Sequence, residues 1–508
     1  MVTAFIPRRR ALVLLSLALA AAAWCAVASG QDGSSAQQQA GAAGTAPIPS
    51  NALASESHRF DSARRSAEML CSWVRHHHAT VGLSVVEVAT GRRVAACNAA
   101  EPLNPASNSK LLTAAVVLER LGPEHRFTTS LHGRLRRGSV DGLVLRGDGD
   151  PSITAETIAE MARDLVLRGL RRVDGAIAVD QSRFDDHFAP PAFDQQPNEW
   201  ASFRAPVSAV AVDRNVLTLY VSPSDSGKPA VVRLEPEGVA QISGVVKTEP
   251  AGSKAQVRWD PELSEGQLRA KLSGGLAEDS TWVIARRRLD DPRLAPGLVL
   301  AHALKRLGVE IEGKVVAWVG GGLSPPLVIH RSPELGTLVQ ALGKESDNFT
   351  AEMLLKALGS LEADGKPASS EDGARVVLDW VRQLGPLEQD TRFINGSGLF
   401  DANRLSADLI VRVLVRARQD PRIFPEYLAQ LAVGGVDGTL RERFGKHRKD
   451  RAVRAKTGTL RDVVSLSGYV ELTDRSPLAF CILVNGMTDH GPVRSRIDAF
   501  VESLIHPS

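Results

Sequence analysis

Asn104-Pro-Ala-Ser-Asn-Ser-Lys110 leads directly into the largely apolar run Leu111-Leu-Thr-Ala-Ala-Val-Val-Leu-Glu-Arg-Leu121. The proline suits the first turn of a helix, and Gly122-Pro123 is a pair that ends one. Apolar residues recur at helical spacing between these signals, so the stretch predicts a helix that begins near Ser107. The lysine follows Ser107 by three residues, so the two side chains share one helical face and can reach each other.

Ser107 and Lys110 are a candidate nucleophile and its base. A serine hydroxyl is a weak nucleophile unless an adjacent group takes its proton. A lysine amine serves as that group when burial or a neighbouring cation lowers its pKa. Backbone N–H groups at the start of a helix also suit a developing oxyanion. An isolated Ser-x-x-Lys is more often a surface helix with a solvated lysine, so two later stretches decide between the readings.

The second stretch is Lys344-Glu-Ser-Asp-Asn-Phe-Thr-Ala-Glu352, which follows helical periodicity at Leu335-Gly-Thr-Leu-Val-Gln-Ala-Leu342. One residue separates Ser346 from Asn348, so a short turn can direct both side chains into a single cleft. A hydroxyl and an amide placed there can relay a proton and hold a substrate carbonyl.

The third stretch is Ala455-Lys-Thr-Gly-Thr-Leu460, which precedes an alternating run typical of a strand. Gly458 leaves room where a substrate backbone must approach. Lys456 offers positive charge to a substrate carboxylate, and the hydroxyls of Thr457 and Thr459 can donate hydrogen bonds to it.

Taken in order, Ser-x-x-Lys, Ser-x-Asn and Lys-Thr-Gly resemble the signature of serine penicillin-binding proteins and serine β-lactamases. The intervals narrow the resemblance, since Ser346 follows Ser107 by 239 residues (346 − 107) and Lys456 follows Ser346 by 110 (456 − 346). The long first interval is similar to that of the D-alanyl-D-alanine carboxypeptidase/endopeptidase family, the class C low-molecular-mass penicillin-binding proteins.

Other segments extend this resemblance from about residue 55 to the end of the chain. They are Gly149-Asp-Pro151, Asp180-x-Ser-x-Phe184, Val212-Asp-Arg-Asn215, Gly396-Ser-Gly-Leu399 and Asp437-Gly-Thr-Leu440. One segment departs from the pattern: relatives often carry Pro-Gly-Trp and an acidic residue where this chain reads Phe193-Asp-Gln-Gln-Pro-Asn-Glu-Trp200. Asp194, Glu199 or neither takes the place of that acid.

The resemblance implies an α/β (α+β) fold, with a transpeptidase-like domain made of an antiparallel sheet and flanking helices. That domain would combine residues 51–123 with residues 329–508. Residues 124–328 would form an inserted β-rich domain, since short strand-like runs alternate there with Gly and Pro turns. Its centre, residues 222–287, shows no helical signal and is a candidate nested subdomain.

The resemblance also implies the roles of the site residues. Ser107 would attack the carbonyl of the penultimate D-alanine, and Lys110 would take its proton. Ser346 would pass a proton to the leaving D-alanine, Lys456 would set the local electrostatic field, and Asn348 would position the substrate.

Further roles follow from the same resemblance. The backbone N–H groups of Ser107 and Thr459 would form the oxyanion hole, and water would hydrolyse the acyl-enzyme. The expected partners are peptidoglycan stem peptides and β-lactam antibiotics, with neither metal nor cofactor required. Two other functions stay open at this point: a serine β-lactamase, and a catalytically silent peptidoglycan-binding scaffold. The balance of carboxypeptidase and endopeptidase activity is also open.

The N-terminus predicts export. Residues 1–30 read as a cleaved signal peptide, with Arg8-Arg9-Arg10 before an apolar run and Ala26-Val-Ala28 as the cleavage site. Residues 31–50 are rich in Gln, Ala, Gly and Ser and predict a flexible linker. No later apolar run is long enough to span a bilayer. We therefore expect a periplasmic or extracytoplasmic protein without a transmembrane span after signal cleavage.

Composition and cysteines limit other functions. The net charge of +3 and the aromatic content of 5% come without a basic stripe interleaved with aromatics, so no nucleic-acid partner is expected. Cys71 and Cys97 either form a disulfide or remain two buried thiols, and Cys481 reads as a core residue. Neither the cysteines nor the run His76-His77-His78 has the spacing of a metal site.

Overall fold

The computed structural model describes residues 50–196, 200–264, 267–472 and 475–505. The predicted signal peptide and the linker, apart from Ser50, lie outside the described residues. The helices of the described chain are α1 (Ser50–His76), α2 (Ser109–Leu121), α3 (Ala155–Leu167), α4 (Ala295–Arg306), α5 (Leu335–Lys344), α6 (Asn348–Gly359), α7 (Ser370–Arg382), α8 (Ala407–Gln419), α9 (Phe424–Gln430) and α10 (His490–Ile505). In this described part, no helix has the length and apolar content needed to cross a membrane.

The strands fall into two groups along the chain. The first is β1 (Thr80–Glu87), β2 (Arg93–Cys97), β3 (Thr128–His132), β4 (Ser139–Val140), β5 (Leu143–Gly147), β6 (Arg172–Val173), β7 (Ile177–Asp180), β8 (Val216–Ser222), β9 (Val231–Glu235), β10 (Ala240–Gly244) and β11 (Lys247–Glu249). The second is β12 (Arg258–Ser264), β13 (Gln267–Ser273), β14 (Gly275–Ala277), β15 (Val283–Arg288), β16 (Glu310–Ile311), β17 (Val315–Ala317), β18 (Pro326–Arg331), β19 (Ala432–Val433), β20 (Val453–Leu460), β21 (Val463–Leu472) and β22 (Arg475–Asn485).

The main sheet is antiparallel and takes its strands from both ends of the described chain. Its six strands run in the order β19-β20-β21-β22-β1-β2. Successive residues of β22 point to opposite faces, so Phe480 and Ile482 enter one hydrophobic core while Cys481 and Leu483 enter the other. Both faces of this strand are therefore covered, which explains its nearly continuous apolar sequence.

Helices cover the two faces of the main sheet. One core joins the sheet to α1 and α10 through residues such as Leu70 and Phe500. The other joins the sheet to α2 and to α5 through α8, with Leu112 and Leu354 among its buried residues. This arrangement is the predicted α+β fold, an antiparallel sheet with flanking helices.

The chain between β3 and β18 builds further sheets around its own core. A five-stranded sheet has the order β17-β7-β5-β3-β18, and smaller sheets have the orders β16-β6-β4, β15-β8-β9, β10-β13-β12 and β11-β14. Their apolar residues pack with α3 and α4 in a third hydrophobic cluster. No helix occurs among the described residues of 222–287. The limits of the inserted domain and its subdomain remain a prediction.

Helix α2 is the central helix of the fold. It runs from Ser109 to Leu121 after a 3₁₀ turn at Ala106–Asn108, and its residues from Ser109 to Leu118 are all buried. Gly122, with φ of 84°, follows its last residue, where a left-handed glycine suits a helix end. The predicted helix and its end are confirmed.

The cysteines and histidines take definite positions. Cys71 of α1 and Cys97 of β2 form a disulfide, which resolves the two alternatives for this pair. Cys481 is a free and fully buried residue of β22, as predicted. His76, His77 and His78 are exposed at the end of α1.

Candidate active site

The turn that carries Ser107 is fastened to the main sheet. Ser465 Oγ donates to the carbonyl of Pro105 at 2.8 Å, and Asn108 Nδ2 donates to Ser467 Oγ at 2.7 Å. Both serines belong to β21, so the sheet fixes the turn from below. Ser107 is the partly exposed residue between these buried anchors, which places its hydroxyl at the floor of a cleft.

Lys110 is fully buried directly beside that hydroxyl. Its Nζ lies 3.0 Å from Ser107 Oγ and donates to Asn348 Oδ1 and to the carbonyl of Ser397, each at 2.7 Å. Burial lowers the pKa of Lys110 from 10.5 to about 7, while Glu352 and Asp347 act in the opposite direction. A carbonyl only accepts hydrogen bonds. A neutral amine with both N–H groups used in this way directs its lone pair at the serine.

Ser346 and Asn348 meet this pair from the other side of the cleft. Ser346 connects α5 to α6 in a left-handed conformation, with φ of 59°, which is uncommon for a residue other than glycine. Asp347 caps α6 by accepting the N–H of Thr350 at 2.6 Å. Asn348 Nδ2 donates to the carbonyl of Phe203 at 3.1 Å, so its amide is held at both ends.

Lys456 is buried on β20 and faces inward. Its Nζ donates to Ser346 Oγ at 2.8 Å and to the carbonyl of Thr457 at 2.7 Å. Burial lowers its pKa well below the ordinary value, and repulsion from Lys110 adds to that. The Lys456 amine therefore contacts the Ser346 hydroxyl and lies away from the outer edge of β20.

Gly458 is required by the packing of the strand against the nucleophile turn. A Cβ at this position would lie 2.1 Å from Ser465 Oγ and 2.9 Å from the carbonyl of Pro105. The sequence suggested that this glycine makes room for substrate. In the structure, the space that a side chain would need is occupied by Ser465 of β21 and by the turn that carries Ser107.

The outer edge of β20 faces the cleft beyond Ala455. Strand β19 pairs with Arg454 and Ala455, and no described strand covers that edge further along. Thr457 Oγ1 donates to Thr439 Oγ1 at 2.8 Å. Thr459 is exposed, and its Oγ1 accepts from Nη2 of Arg494 at 3.2 Å. A substrate at this edge of β20 would therefore meet backbone groups, the Thr459 hydroxyl and the Arg494 guanidinium.

One cleft brings these predicted residues together. It has a volume of about 780 Å³ and is lined by Ser107, Ser346, Asn348 and Thr459 among others. Lys110 and Lys456 are fully buried next to lining residues, in contact with Ser107 and Ser346 respectively. Among the described residues, no group of histidine, cysteine, aspartate or glutamate has the arrangement of a metal site.

Four residues at the site were not singled out from the sequence as site residues. Glu352, Ser397, Phe203 and Arg494 contact the predicted residues or their backbone supports. Ser397 lies in the Gly396-Ser-Gly-Leu399 segment that marks the family resemblance, so that segment was a usable signal. No sequence pattern pointed to the other three.

The segment of residues 193–200, which differs from the family pattern, lies partly at the cleft. Asp194 is exposed in a 3₁₀ turn at Phe193–Gln195, and the adjacent Gln195 and Gln196 line the cleft. Glu199 lies outside the described residues.

Comparison with known proteins gives matches over most of the chain. The family described as the D-Ala-D-Ala carboxypeptidase 3 (S13) family matches residues 69–504. A D-alanyl-D-alanine carboxypeptidase of Actinomadura sp. is 33% identical over 439 residues, covering 82% of this chain and 79% of that protein.

Solved structures match the fold. The structure of penicillin binding protein 4 from Haemophilus influenzae superposes with a TM-score of 0.71 at 23% identity, covering 84% of this chain and 96% of that one. A structure of the same protein complexed with a β-lactam gives a TM-score of 0.67 at 22% identity, covering 84% and 96%. These matches confirm the predicted fold, and the sequence matches show that the chain belongs to the D-Ala-D-Ala carboxypeptidase 3 (S13) family.

Proposed function

We propose that this enzyme hydrolyses the D-alanyl-D-alanine bond of peptidoglycan stem peptides, with Ser107 as its nucleophile. The observation that carries the proposal is the contact of Lys110 Nζ with Ser107 Oγ, made while two carbonyl oxygens take the other N–H groups of the amine. The lone pair of a neutral amine held in this way has one direction left, and the Ser107 hydroxyl lies in that direction.

Acylation begins when neutral Lys110 takes the proton of Ser107. The oxygen of Ser107 then forms a bond to the carbonyl carbon of the penultimate D-alanine. Backbone N–H groups of Ser107 and Thr459 stabilise the resulting oxyanion. Because burial brings the pKa of Lys110 to about 7, a substantial fraction of the enzyme carries the free amine at neutral pH.

The leaving group needs a proton when the peptide bond breaks. Ser346 is the hydroxyl that delivers it to the nitrogen of the departing D-alanine, while Lys456 holds that hydroxyl in a hydrogen bond of 2.8 Å. The proton that Lys110 took from Ser107 restores the Ser346 hydroxyl, so Lys110 is neutral again before water attacks. Water then attacks the acyl-enzyme and releases the shortened peptide. Each step uses protein groups already in place.

The substrate carboxylate binds at the outer edge of β20. Lys456 is already bonded inside the protein, so the exposed Thr459 hydroxyl and the Arg494 guanidinium 3.2 Å from it are the groups available there. The open strand edge also allows the substrate backbone to pair with it. Asn348 positions the substrate from the opposite wall of the cleft.

The rest of the chain fits this function. A penicillin carries a carboxylate and a reactive carbonyl, so β-lactam antibiotics acylate the same serine. Peptidoglycan lies outside the cytoplasm, in agreement with the predicted signal peptide at residues 1–30. We assign residues 51–123 and 329–508 to the catalytic domain and residues 124–328 to the insertion that contributes the carbonyl of Phe203 to the site.

Mass spectrometry of purified peptidoglycan fragments tests the proposal. Incubation with the protein should shorten pentapeptide stems by one alanine or separate crosslinked stems, and the two products distinguish carboxypeptidase from endopeptidase activity. Ser107→Ala protein is the matched control. Unchanged fragments together with no labelling by a fluorescent penicillin would favour a silent scaffold, whereas rapid turnover of nitrocefin would favour a β-lactamase.

A further inference from the structure

Helix α6 carries a row of polar side chains into the protein interior. Asn348, Glu352 and Lys356 follow one another at four-residue spacing, so they lie along one face of the helix. Asn348 belongs to the site described above. Glu352 and Lys356 are fully buried, and buried charges are costly unless they are paired or hydrogen-bonded.

Glu352 holds the backbone of the turn at Gly396 and Ser397. Its Oε1 accepts the N–H of Ser397 at 2.8 Å, and its Oε2 accepts the N–H of Gly396 at 3.1 Å. Both oxygens accept, which suits an ionised carboxylate, because a protonated acid would need an acceptor of its own. Burial raises the pKa of Glu352, while the bonds from Ser397 and Gly396 and the charge of Lys110 oppose that rise.

The same turn supports the amine of Lys110. The carbonyl of Ser397 accepts from Lys110 Nζ at 2.7 Å. On the other side of the turn, Thr113 Oγ1 donates to the carbonyl of Gly396 at 3.0 Å. Glu352 and Thr113 therefore tether the same turn. Glu352 holds Gly396 and Ser397 through a charge, and Thr113 holds Gly396 through a neutral hydroxyl.

The charged groups around this turn come from several elements. Lys110 approaches the turn from α2. Asp347, before α6, acts on the pKa of Lys110, and Lys110 in turn acts on the pKa of Lys456 of β20. Lys356, on α6 itself, is bonded to Asp185 and donates to the carbonyl of His187 at 2.9 Å. Glu352 is the larger of the two carboxylate influences on Lys110.

We propose that Glu352 is a positioning residue of this enzyme, whose carboxylate fixes the Gly396–Ser397 turn and thereby holds the Lys110 amine against the Ser107 hydroxyl. Its charge also keeps Lys110 from losing its proton at a still lower pH. This inference rests on the proposed roles of Ser107 and Lys110, and it adds an anionic support beneath them.

The test is the pH dependence of acylation by a fluorescent penicillin in the full-length protein. Glu352→Gln removes the charge that raises the Lys110 pKa, so the acidic limb of the profile should move to lower pH by roughly one unit. The plateau rate should fall about ten-fold, because the amide cannot accept both N–H groups. Thr113→Val loosens the same turn without a charge change, so its plateau should fall while its limb stays in place.

Further variants keep the test decisive. Glu352→Asp keeps the negative charge, so its acidic limb should stay at the parental pH while its plateau rate falls. This variant also decides the question if circular dichroism shows that Glu352→Gln does not fold. The proposal is overturned if the Glu352→Gln limb does not move, if Thr113→Val moves it equally, or if Glu352→Asp shifts it. A parent protein that penicillin does not acylate at all would instead overturn the proposed function.

Discussion

Lys456 Nζ lies 2.8 Å from Ser346 Oγ, although 110 residues separate the two in the chain. The cleft therefore holds two amine–hydroxyl pairs, since Lys110 Nζ lies 3.0 Å from Ser107 Oγ. Both amines are buried, and burial lowers both pKa values, that of Lys110 to about 7. Lys110 can therefore exchange a proton with the Ser107 hydroxyl near neutral pH. One pair suits attack on the substrate and the other suits departure of the leaving group.

The second pair predicts that Ser346→Ala impairs the reaction without removing the nucleophile. Loss of a proton-transfer group should reduce kcat/KM for a D-alanyl-D-alanine peptide by about 10²-fold or more. Steady-state kinetics measure this effect. The fold should persist, as judged by circular dichroism, and a variant with parental kcat/KM would exclude Ser346 from the proton path.

The first pair predicts that Ser107 is the acylated residue. Ser107→Ala should abolish labelling by penicillin because the attacking oxygen is absent, while the melting temperature stays close to that of the parent. Intact-protein mass spectrometry followed by peptide mapping locates the adduct. Ser109→Ala is a matched control for the turn, and an adduct on Ser109 or Ser346 would contradict the assignment.

The pKa of Lys110 predicts a pH profile. The amine accepts a proton only when neutral, so acylation should rise with pH through about 7, where burial places this pKa. Lys110→Arg keeps a positive charge that cannot be removed near neutral pH. Its acylation rate should fall by about 10²-fold or more, and stopped-flow measurements between pH 5 and 9 check both statements. Near-parental acylation by this variant would mean that another base serves Ser107.

The outer edge of β20 predicts how the substrate carboxylate is bound. Thr459→Val removes the hydroxyl while keeping the shape of the side chain and should cost about 1.5–3 kcal/mol, or roughly ten- to a hundred-fold in kcat/KM. Arg494→Gln should act in the same direction, because its guanidinium lies 3.2 Å from that hydroxyl.

An amidated substrate separates carboxylate binding from other effects. Both variants should react with a peptide whose terminal carboxylate is amidated about as well as the parent does. Arg496→Gln is the matched control, since Arg496 lies over the ring of Trp73. Equal losses on both substrates, or no loss on either, would leave the hydroxyl without a role in carboxylate binding.

The disulfide predicts a measurable contribution to stability. Cys71 and Cys97 close a loop with a sequence separation of 26, so Cys97→Ser should lower the free energy of unfolding by about 3 kcal/mol. Urea unfolding of the parent under oxidising and reducing conditions gives an independent value. Cys481 is free and buried, so the same reductant should leave the unfolding midpoint of the Cys97→Ser protein unchanged.

Local patterns predicted the parts of this protein that depend on neighbouring residues. The apolar periodicity after Ser107 predicted α2, and the close spacing of Ser346 and Asn348 predicted a turn at one cleft. These features follow from helix geometry and turn preferences, which operate over a few residues. The ordered motifs then indicated the family and the antiparallel sheet with flanking helices.

The tertiary structure alone decided how the site is supported. Lys110 donates hydrogen bonds to partners 238 and 287 residues away in the chain, and Glu352 accepts one from Ser397, which lies 45 residues away. In the folded protein, Lys456 also faces inward and contacts Ser346, and Arg494 lies beside Thr459. Such contacts join segments that pack together only after the whole chain has folded, and no periodicity in the sequence records them. The sequence by itself identified the candidate groups for the chemistry, and packing determined which atom each of them meets.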